Sequence, residues 1–324
     1  MERLLSCLSQ RIADRLLRLP EYIRKEIEEI RIRINQPIEV VIGRDSFFLN
    51  GDGKLNHEPD GFIATDEDGQ KIINLISRHS LYALEEELKK GYITIPGGHR
   101  VGIAGKVITT GHKVEMIKHI RFFNFRIARP VYGAAEKLLP YLLRDSFPLN
   151  TLIISPPRCG KTTLLRDLIR LLSTGWAGNK AGFRVGVVDE RSEIAGSIDG
   201  VPQYDLGPRT DVLDGCPKAE GLMMLIRSMS PHIVACDEIG GQEDALAILE
   251  ALHAGVKVVA TAHGMDLTDI SRRPGLKLLF DHKVMERFVI LSHRQGAGTV
   301  EKILDQDEKP IYPLAKQVKA ACLS

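Results

Sequence analysis

The sequence of 324 residues has little net charge, few cysteines and no long apolar run. Its 44 lysines and arginines nearly balance its 42 aspartates and glutamates, so a nucleic-acid or membrane-surface partner would need a local basic patch. The five cysteines form no C-x-x-C pair and no zinc-ligand spacing, which favours free thiols in a reducing compartment. No run approaches the roughly 18 apolar residues of a membrane span. We therefore expect a cytoplasmic protein with at most peripheral membrane association.

What the sequence does have is a change of pattern near residue 132. Before it, helical spacing gives way to strand-like alternation with glycine turns, and after it apolar runs alternate with helices. The second pattern is typical of a mostly parallel sheet. We predict a smaller α+β domain over residues 1–131 and an α/β domain over residues 132–324. Helices are predicted within residues 2–27, 69–91 and 133–143, and a hairpin within residues 287–311.

The second half carries ISPPRCGKTT over residues 154–163, which is similar to the phosphate-loop pattern G-x-x-x-x-G-K-[ST]. An apolar strand precedes this stretch and an amphipathic helix follows it, as such a loop requires. Backbone N–H groups at the helix start, the Lys161 ammonium and the Thr162 hydroxyl suit a triphosphate with Mg²⁺. An ordinary helix start is the alternative interpretation. The predicted nucleotide-binding residues are Ser155, Pro156, Pro157, Arg158, Cys159, Gly160, Lys161, Thr162 and Thr163.

Two residues of this loop depart from the pattern. Ser155 replaces the first glycine, and a non-glycine residue in the left-handed region costs about 1–2 kcal/mol. We expect this serine to weaken the loop without abolishing it, and Ser155→Gly to relieve backbone strain. Arg158 stands where many such loops have a further glycine, which predicts a stiffer and more cationic loop.

An acidic pair follows the apolar strand in PHIVACDEIGG. In P-loop ATPases, an acid at the end of such a strand holds Mg²⁺ and a neighbouring one polarises the attacking water. We predict Asp237 and Thr162 as metal ligands and Glu238 as the catalytic glutamate. A simple helix start is the alternative for the pair alone, but its place downstream of the phosphate loop favours catalysis.

Two further strand ends carry polar groups. VVDERSEI offers Asp189 and Glu193, and VKVVATAHG offers Thr261 and His263. Ligands of open parallel sheets bind beyond the carboxyl ends of the strands, so we expect these groups to join the phosphate loop and Asp237 at one edge. His263 is then a candidate for sensing the γ-phosphate, with a packing histidine as the alternative.

Several arginines remain open to two interpretations. Arg227 precedes the acidic strand, while Arg191 and Arg209 flank VVDERSE. Each could form a salt bridge, or could stabilise the transferring phosphoryl group. We favour Arg227 as a clamp within the same chain. The arginines that alternate with phenylalanines in IRFFNFRIAR favour a half-buried strand over a nucleic-acid stacking surface, so no strong nucleic-acid signal is present.

The order of these motifs resembles that of the type II/type IV secretion ATPase superfamily. Over nearly the whole chain, including EEIRIRINQPIEVVI and GYITIPGGHRVGIAGKV, the sequence is similar to sporulation members of that superfamily. The resemblance implies a RecA-like second domain that binds ATP and Mg²⁺. Those ATPases usually have Gly-Glu at the acidic strand, so Asp237 adds a carboxylate that should strengthen metal binding. By position, the resemblance implies that Lys161 and Thr162 bind phosphate and Mg²⁺ and that Glu238 is the catalytic glutamate. It implies that Asp189 and Glu193 are the acidic-box carboxylates and that His263 is the histidine-box residue. It also implies that Arg100 is a first-domain arginine that contacts the nucleotide phosphates.

The resemblance also implies a hexameric ring in the mother-cell cytoplasm. That ring would associate peripherally with membrane proteins of a channel between mother cell and forespore. The predicted function is an ATP-hydrolysing motor subunit of this secretion-type complex. Two alternatives stay open: a nucleotide-gated oligomeric scaffold with negligible turnover, and a nucleic-acid-dependent ATPase.

Overall fold

The computed structural model describes residues 1–77, 91–110, 113–176, 179 and 181–312. Contacts divide the chain into two compact units, Met1–Arg129 and Pro130–Ser324. Most of the helical prediction for residues 69–91 falls on residues 78–90, which lie outside the described residues. Among the described helices, none has the length and apolar character needed to cross a membrane.

The first unit combines short helices with an antiparallel sheet of order β4-β3-β2-β1-β7-β6-β5. The helical region at the start is broken into three helices, because Pro20 cannot continue a helix and Ser9 begins a new one. The elements are α1 Glu2–Leu5, α2 Gln10–Arg18, α3 Glu21–Glu26, β1 Ile27–Arg33, β2 Glu39–Ile42, β3 Asp45–Leu49, β4 Leu55–Asn56, α4 Asp66–Ile76, β5 Tyr92–Ile95, β6 His99–Thr110 and β7 Lys113–Arg126.

Alternation along the strands places the core of this unit on one face of the sheet. Ile30 and Ile32 of β1 pair with Phe125 and Phe123 of β7, and all four side chains are buried. Arg31 lies between them in sequence and forms an ion pair with a neighbouring glutamate. The phenylalanines at alternate positions thus serve the core, as expected for a half-buried strand.

The second unit contains a seven-stranded sheet of order β12-β11-β13-β14-β10-β15-β16. All neighbours pair in parallel except β15 and β16, which form the predicted hairpin. The elements are β8 Leu143–Arg144, β9 Phe147–Pro148, β10 Thr151–Ser155, α5 Lys161–Thr174, β11 Val185–Asp189, β12 Thr210–Asp214, α6 Lys218–Met229, β13 Ile233–Cys236, α7 Gln242–His253, β14 Lys257–His263, α8 Leu267–Ser271, α9 Lys277–Asp281, β15 Arg287–Ser292 and β16 Thr299–Asp305.

Helices cover both faces of this sheet. Leucines of α5 pack in one apolar cluster, and apolar residues of α6 and α7 pack in another. The central strands β10, β11 and β13 are therefore buried along their whole lengths. A strand that is buried on both faces needs apolar residues at successive positions, which explains why these strands read as continuous apolar runs.

The helix predicted within residues 133–143 is wrong. The segment forms turns, a 3-10 helix at Leu139–Tyr141 and strand β8. Pro140 lacks the N–H group that an α-helix would use there. The segment is held instead by Asp167 of α5, whose carboxylate accepts the backbone N–H of Ala135 at 2.9 Å.

The buried His99 leads us to predict that the stability of the first unit depends on pH. Nδ1 of His99 accepts the N–H of Ala128 at 3.0 Å. Burial, followed by the charges of the N-terminus and Arg3, lowers the pKa of His99 from 6.5 to about 4. The unfolded chain therefore takes up the proton first. The contribution of His99 to the unfolding free energy should be constant well above pH 6.5. It should fall as the pH drops from about 6.5 to 4, by up to about 3 kcal/mol.

Hydrogen exchange of amides in β6 and β7, corrected for intrinsic exchange rates, measures this loss in the whole chain. His99→Gln keeps an acceptor for Ala128 without titrating, so its stability should change little over the same pH range. Equal pH slopes in the parent and this variant would contradict the assignment to His99.

Candidate nucleotide-binding site

The site is built where parallel strands end at one edge of the second sheet. Ser155 at the end of β10 lies opposite His263 at the end of β14. Cys236 at the end of β13 lies opposite Ala260 of β14, so Asp237 and Glu238 continue beyond the same edge. The sheet topology thus brings the phosphate loop, the acidic pair and the histidine together, as the sequence predicted for this edge.

Gly160 shapes the end of the phosphate loop. Its φ of 85° places it in the left-handed region immediately before α5. A Cβ on Gly160 would lie 2.9 Å from the backbone nitrogen of Gly298. That nitrogen donates to the carbonyl of Cys159 at 2.9 Å, so the turn of the β15–β16 hairpin packs directly on the loop. Any larger residue would disturb both the backbone and this contact.

The strain predicted at the first loop position is wrong. Ser155 is the last residue of β10, is completely buried, and its hydroxyl donates to the carbonyl of Pro156 at 2.8 Å. The strained residue is Arg158, whose φ is 60° and whose side chain is exposed. The serine fits because an extended strand residue needs no glycine, whereas the left-handed position falls on the arginine.

Lys161 is the first residue of α5 and is 5% exposed. Its Nζ lies 3.5 Å from the carbonyl of Ser155, 3.4 Å from that of Pro156 and 2.9 Å from Nδ1 of His263. Burial lowers the pKa of Lys161, while the charges of Asp237 and Glu238 oppose that shift. The ammonium is thus held among acceptors that a bound phosphate could replace.

The same contacts define the state of the histidine. An ammonium only donates, so Nδ1 of His263 accepts and the ring proton lies on Nε2. Nε2 faces Oε1 of Glu238 at 2.5 Å. A continuous hydrogen-bonded chain therefore runs from Lys161 through His263 to Glu238.

Asp237 is held by hydroxyls on both sides. Thr162 donates to its Oδ2 at 2.5 Å, and the Thr261 hydroxyl contacts its Oδ1. Thr261 also accepts the backbone N–H of Glu238 at 2.9 Å. Thr261 is completely buried, and the sequence predicted it only as a polar strand end, without a role. The feature that could have indicated its role is a hydroxyl group within an otherwise apolar strand. Thr261 positions both acids.

Glu238 occupies a strained backbone position, with φ of 55°. Such positions cost about 1–3 kcal/mol and persist where surrounding contacts fix them. Its Oε2 forms an ion pair with Arg191, while its Oε1 faces His263. Each carboxylate oxygen thus has one of these partners. The sequence left Arg191 open to a salt bridge but did not indicate Glu238 as its partner.

The carboxylate of Asp189 is buried and holds the backbone of the loop that follows β11. It is 2% exposed, and its two oxygens accept the N–H groups of Glu193 at 2.8 Å and Ala195 at 2.7 Å. Burial raises the pKa of Asp189, and these hydrogen bonds oppose that shift. The loop that it shapes presents Arg191. Glu193 itself lines a small cavity whose residues are Asp189, Glu190, Arg191, Glu193, Lys218, Asp237 and Glu238.

The remaining predicted residues lie elsewhere or contribute mainly shape. Arg227 lines a groove between α6 and α7 with Met223 and Leu246, so the structure does not join it to the acidic pair. Arg100 belongs to the first unit, where its guanidinium lies 4.9 Å from the ring centre of Tyr92. Within the loop, Cys159 is buried in the core, Pro156 and Thr163 are half-buried, and Pro157 is exposed.

Comparison with known proteins gives a family match over most of the chain. The family model described as Sporulation stage III, protein AA matches residues 1–311. Stage III sporulation protein AA of Bacillus subtilis (strain 168) is 50% identical over 307 residues, which cover 95% of this chain and 96% of that protein.

Solved structures share the fold at low identity. The Legionella pneumophila ATPase DotB matches with a TM-score of 0.58 and 15% identity, covering 92% of this chain and 81% of its own. The pilus retraction motor PilT, solved with bound ADP, matches with a TM-score of 0.51 and 14% identity, covering 83% and 76%. At these identities the likeness shows the fold alone. The predicted RecA-like domain with a mostly parallel sheet, preceded by an α+β domain, is confirmed.

The loop geometry predicts opposite effects for two glycine substitutions. Ser155→Gly should lower the unfolding free energy by about 0.5–1 kcal/mol, because glycine loses more conformational entropy in a strand. Arg158→Gly should leave the unfolding free energy unchanged or raise it by up to about 1 kcal/mol. Glycine adopts the left-handed backbone conformation without the steric cost that arginine has there. Urea unfolding of both variants beside the parent measures these changes. A more stable Ser155→Gly variant would contradict the observed strand conformation.

Proposed function

Because this chain belongs to the Sporulation stage III, protein AA family, we propose that it is an ATP-hydrolysing subunit of a secretion-type membrane complex formed during sporulation. The observation that carries the proposal is the hydrogen-bonded chain from Lys161 through His263 to Glu238, next to the Thr162–Asp237 pair. These groups match the needs of phosphoryl transfer to water: phosphate binding, metal binding and orientation of the nucleophile.

The phosphate loop would bind the β- and γ-phosphates of ATP. The first N–H groups of α5 have no partner within the helix, and the helix dipole favours an anion at that end. Lys161 already points into the loop, where it contacts the carbonyls of Ser155 and Pro156. Phosphate oxygens would replace neutral acceptors with charged ones, and charge-assisted hydrogen bonds are roughly twice as strong as neutral ones.

The Thr162 hydroxyl and the Asp237 carboxylate are the groups that would hold Mg²⁺. They lie 2.5 Å apart, and a hard cation that shares its ligands with phosphate and water needs only such oxygen donors from the protein. When bound, Mg²⁺ supplies positive charge that offsets the charge on the phosphates. Thr261 contacts the other oxygen of Asp237 and so fixes the direction of its carboxylate.

Glu238 would orient the attacking water and draw off its proton. His263 holds one oxygen of this carboxylate and contacts Lys161 with its other nitrogen. A histidine in that position would respond when a γ-phosphate draws Lys161 away. This is the physical basis for assigning γ-phosphate sensing to His263.

The assembly and its location are part of the proposal. We assign a hexameric ring, peripheral contact with membrane proteins of a channel between mother cell and forespore, and a place in the mother-cell cytoplasm. The family membership and the shared fold with DotB and PilT support these assignments. On the sequence evidence, we also propose that Arg100 contacts the nucleotide phosphates. The same evidence leads us to propose that the domain boundary lies near residue 132.

The two acids should respond differently to neutralisation. Glu238→Gln should keep Mg²⁺-dependent ATP binding and lose hydrolysis by about 100-fold or more, because an amide cannot accept the proton of water. Asp237→Asn should reduce the Mg²⁺ dependence of ATP binding, because it removes the charged metal ligand. Calorimetric titration with and without Mg²⁺, beside steady-state phosphate release, separates the two roles.

Glu220→Gln is the matched control, because Glu220 is an acid on α6 that lines the groove with Arg227. This variant should bind and hydrolyse ATP like the parent. Hydrolysis by Glu238→Gln at the parent rate would remove the role given to that residue. A parent that binds ATP without turnover, even with membrane partners or single-stranded DNA, would favour the nucleotide-gated scaffold.

A further inference from the structure

We propose that Arg191 is a γ-phosphate-dependent switch: it forms the observed ion pair with Glu238, and it moves to the γ-phosphate when ATP binds. This inference rests on the proposed ATPase function and concerns the regulation of that site. It also assigns to Arg191 the stabilisation of the transferring phosphoryl group.

The first observation is that the described state keeps the catalytic carboxylate occupied. Oε1 of Glu238 faces Nε2 of His263 at 2.5 Å, and Oε2 forms the ion pair with Arg191. A carboxylate needs at least one oxygen with a lone pair turned to the water that it activates. A carboxylate offers about four lone-pair sites, so the two partners still leave sites for water. What they fix is the direction of the carboxylate, and the departure of one partner lets it turn to the water.

The second observation identifies Arg191 as the partner that leaves. Its side chain is 64% exposed, whereas that of Glu238 is 20% exposed. Because water screens the charge of the exposed guanidinium, this ion pair is weaker than a fully buried one and can open. His263, in contrast, is the last residue of β14, where pairing with Ser155 of β10 fixes its backbone.

The third observation is the anchoring of the loop that carries Arg191. Both oxygens of the buried Asp189 hold backbone N–H groups of this loop, at Glu193 and Ala195. The loop is thereby fixed while the long arginine side chain remains able to change partner. Asp189 acts as a positioning residue for the switch.

A γ-phosphate would outcompete Glu238 for the guanidinium. It carries more negative charge than a carboxylate, and the planar fork of arginine matches phosphate oxygens in a bidentate manner. ADP has no γ-phosphate at this place, so the Arg191–Glu238 pair should persist with ADP. The exchange frees one oxygen of Glu238 only when ATP is present, which links activation of the water to the correct nucleotide.

The other arginines left open by the sequence are placed differently. Arg209 donates to the carbonyl of Ser173 at 3.1 Å and so supports the start of β12. Arg227 lines the groove between α6 and α7. Of these three arginines, the structure brings Arg191 to the catalytic glutamate.

Substitution of Arg191 tests the switch through nucleotide preference as well as turnover. Arg191→Ala should leave the affinity for ADP within about twofold of the parent and weaken binding of the ATP analogue AMP-PNP by about tenfold. Its hydrolysis rate should fall by about 100-fold or more, because a charge on the transition state is lost. Arg191→Lys should restore part of both losses, since it keeps a cation without the bidentate fork. Arg272→Ala, which removes an exposed arginine at the end of α8, is the matched control.

Each outcome decides the question. Parent-like hydrolysis and AMP-PNP affinity in Arg191→Ala would overturn the switch while the ATPase proposal survives. Equal losses for ADP and AMP-PNP, with no rescue by lysine, would give Arg191 a purely structural role and also overturn it. The same losses in Arg227→Ala but not in Arg191→Ala would transfer the role to Arg227. A parent that binds neither nucleotide would refute the proposed function itself.

Discussion

The Lys161–His263–Glu238 chain of hydrogen bonds depends on strands β10, β13 and β14 ending level with one another. Parallel pairing places His263 opposite Ser155 and brings the acidic pair to the same edge. Burial of the strands by helices on both faces fixes that register, because a one-residue slip would move each side chain from one core to the other, where it would not fit. The chemistry of the site thus follows from the packing of the sheet.

The charged groups of the site have partners within the chain. Lys161 contacts two carbonyls and a histidine, and Glu238 contacts the same histidine and Arg191. An unpaired buried charge would be costly, so these contacts stabilise the site. Under the proposed function, a bound triphosphate would exchange some of them for phosphate contacts. ATP and ADP would therefore replace different contacts of these side chains, because ADP lacks the γ-phosphate.

Much of the fold was predictable because it depends on local patterns. Apolar runs that alternate with amphipathic helices specified the parallel sheet, and glycine next to lysine and threonine marked the turn from β10 into α5. The sequence could not show which loop residue takes a left-handed conformation, so strain was assigned to Ser155 instead of Arg158. Nor could it name side-chain partners: Arg227 was favoured as the clamp on the phosphoryl group, and Arg191 was left open to a salt bridge. In the structure, the loop fixed by Asp189 presents Arg191 to Glu238. Such pairings depend on three-dimensional placement that spacing along the chain does not encode.

The central claim is that the loop around Lys161 holds the phosphates of ATP. Calorimetric titration of the parent and of Lys161→Ala with ATP and Mg²⁺ tests it most directly, with Lys277→Ala at the start of α9 as the lysine control. The account predicts saturable binding to the parent and the control. It predicts a loss of about tenfold or more in affinity for Lys161→Ala, because that variant lacks the ammonium that would contact the phosphates. Equal affinity of the parent and Lys161→Ala would contradict the phosphate-loop assignment and the function built on it.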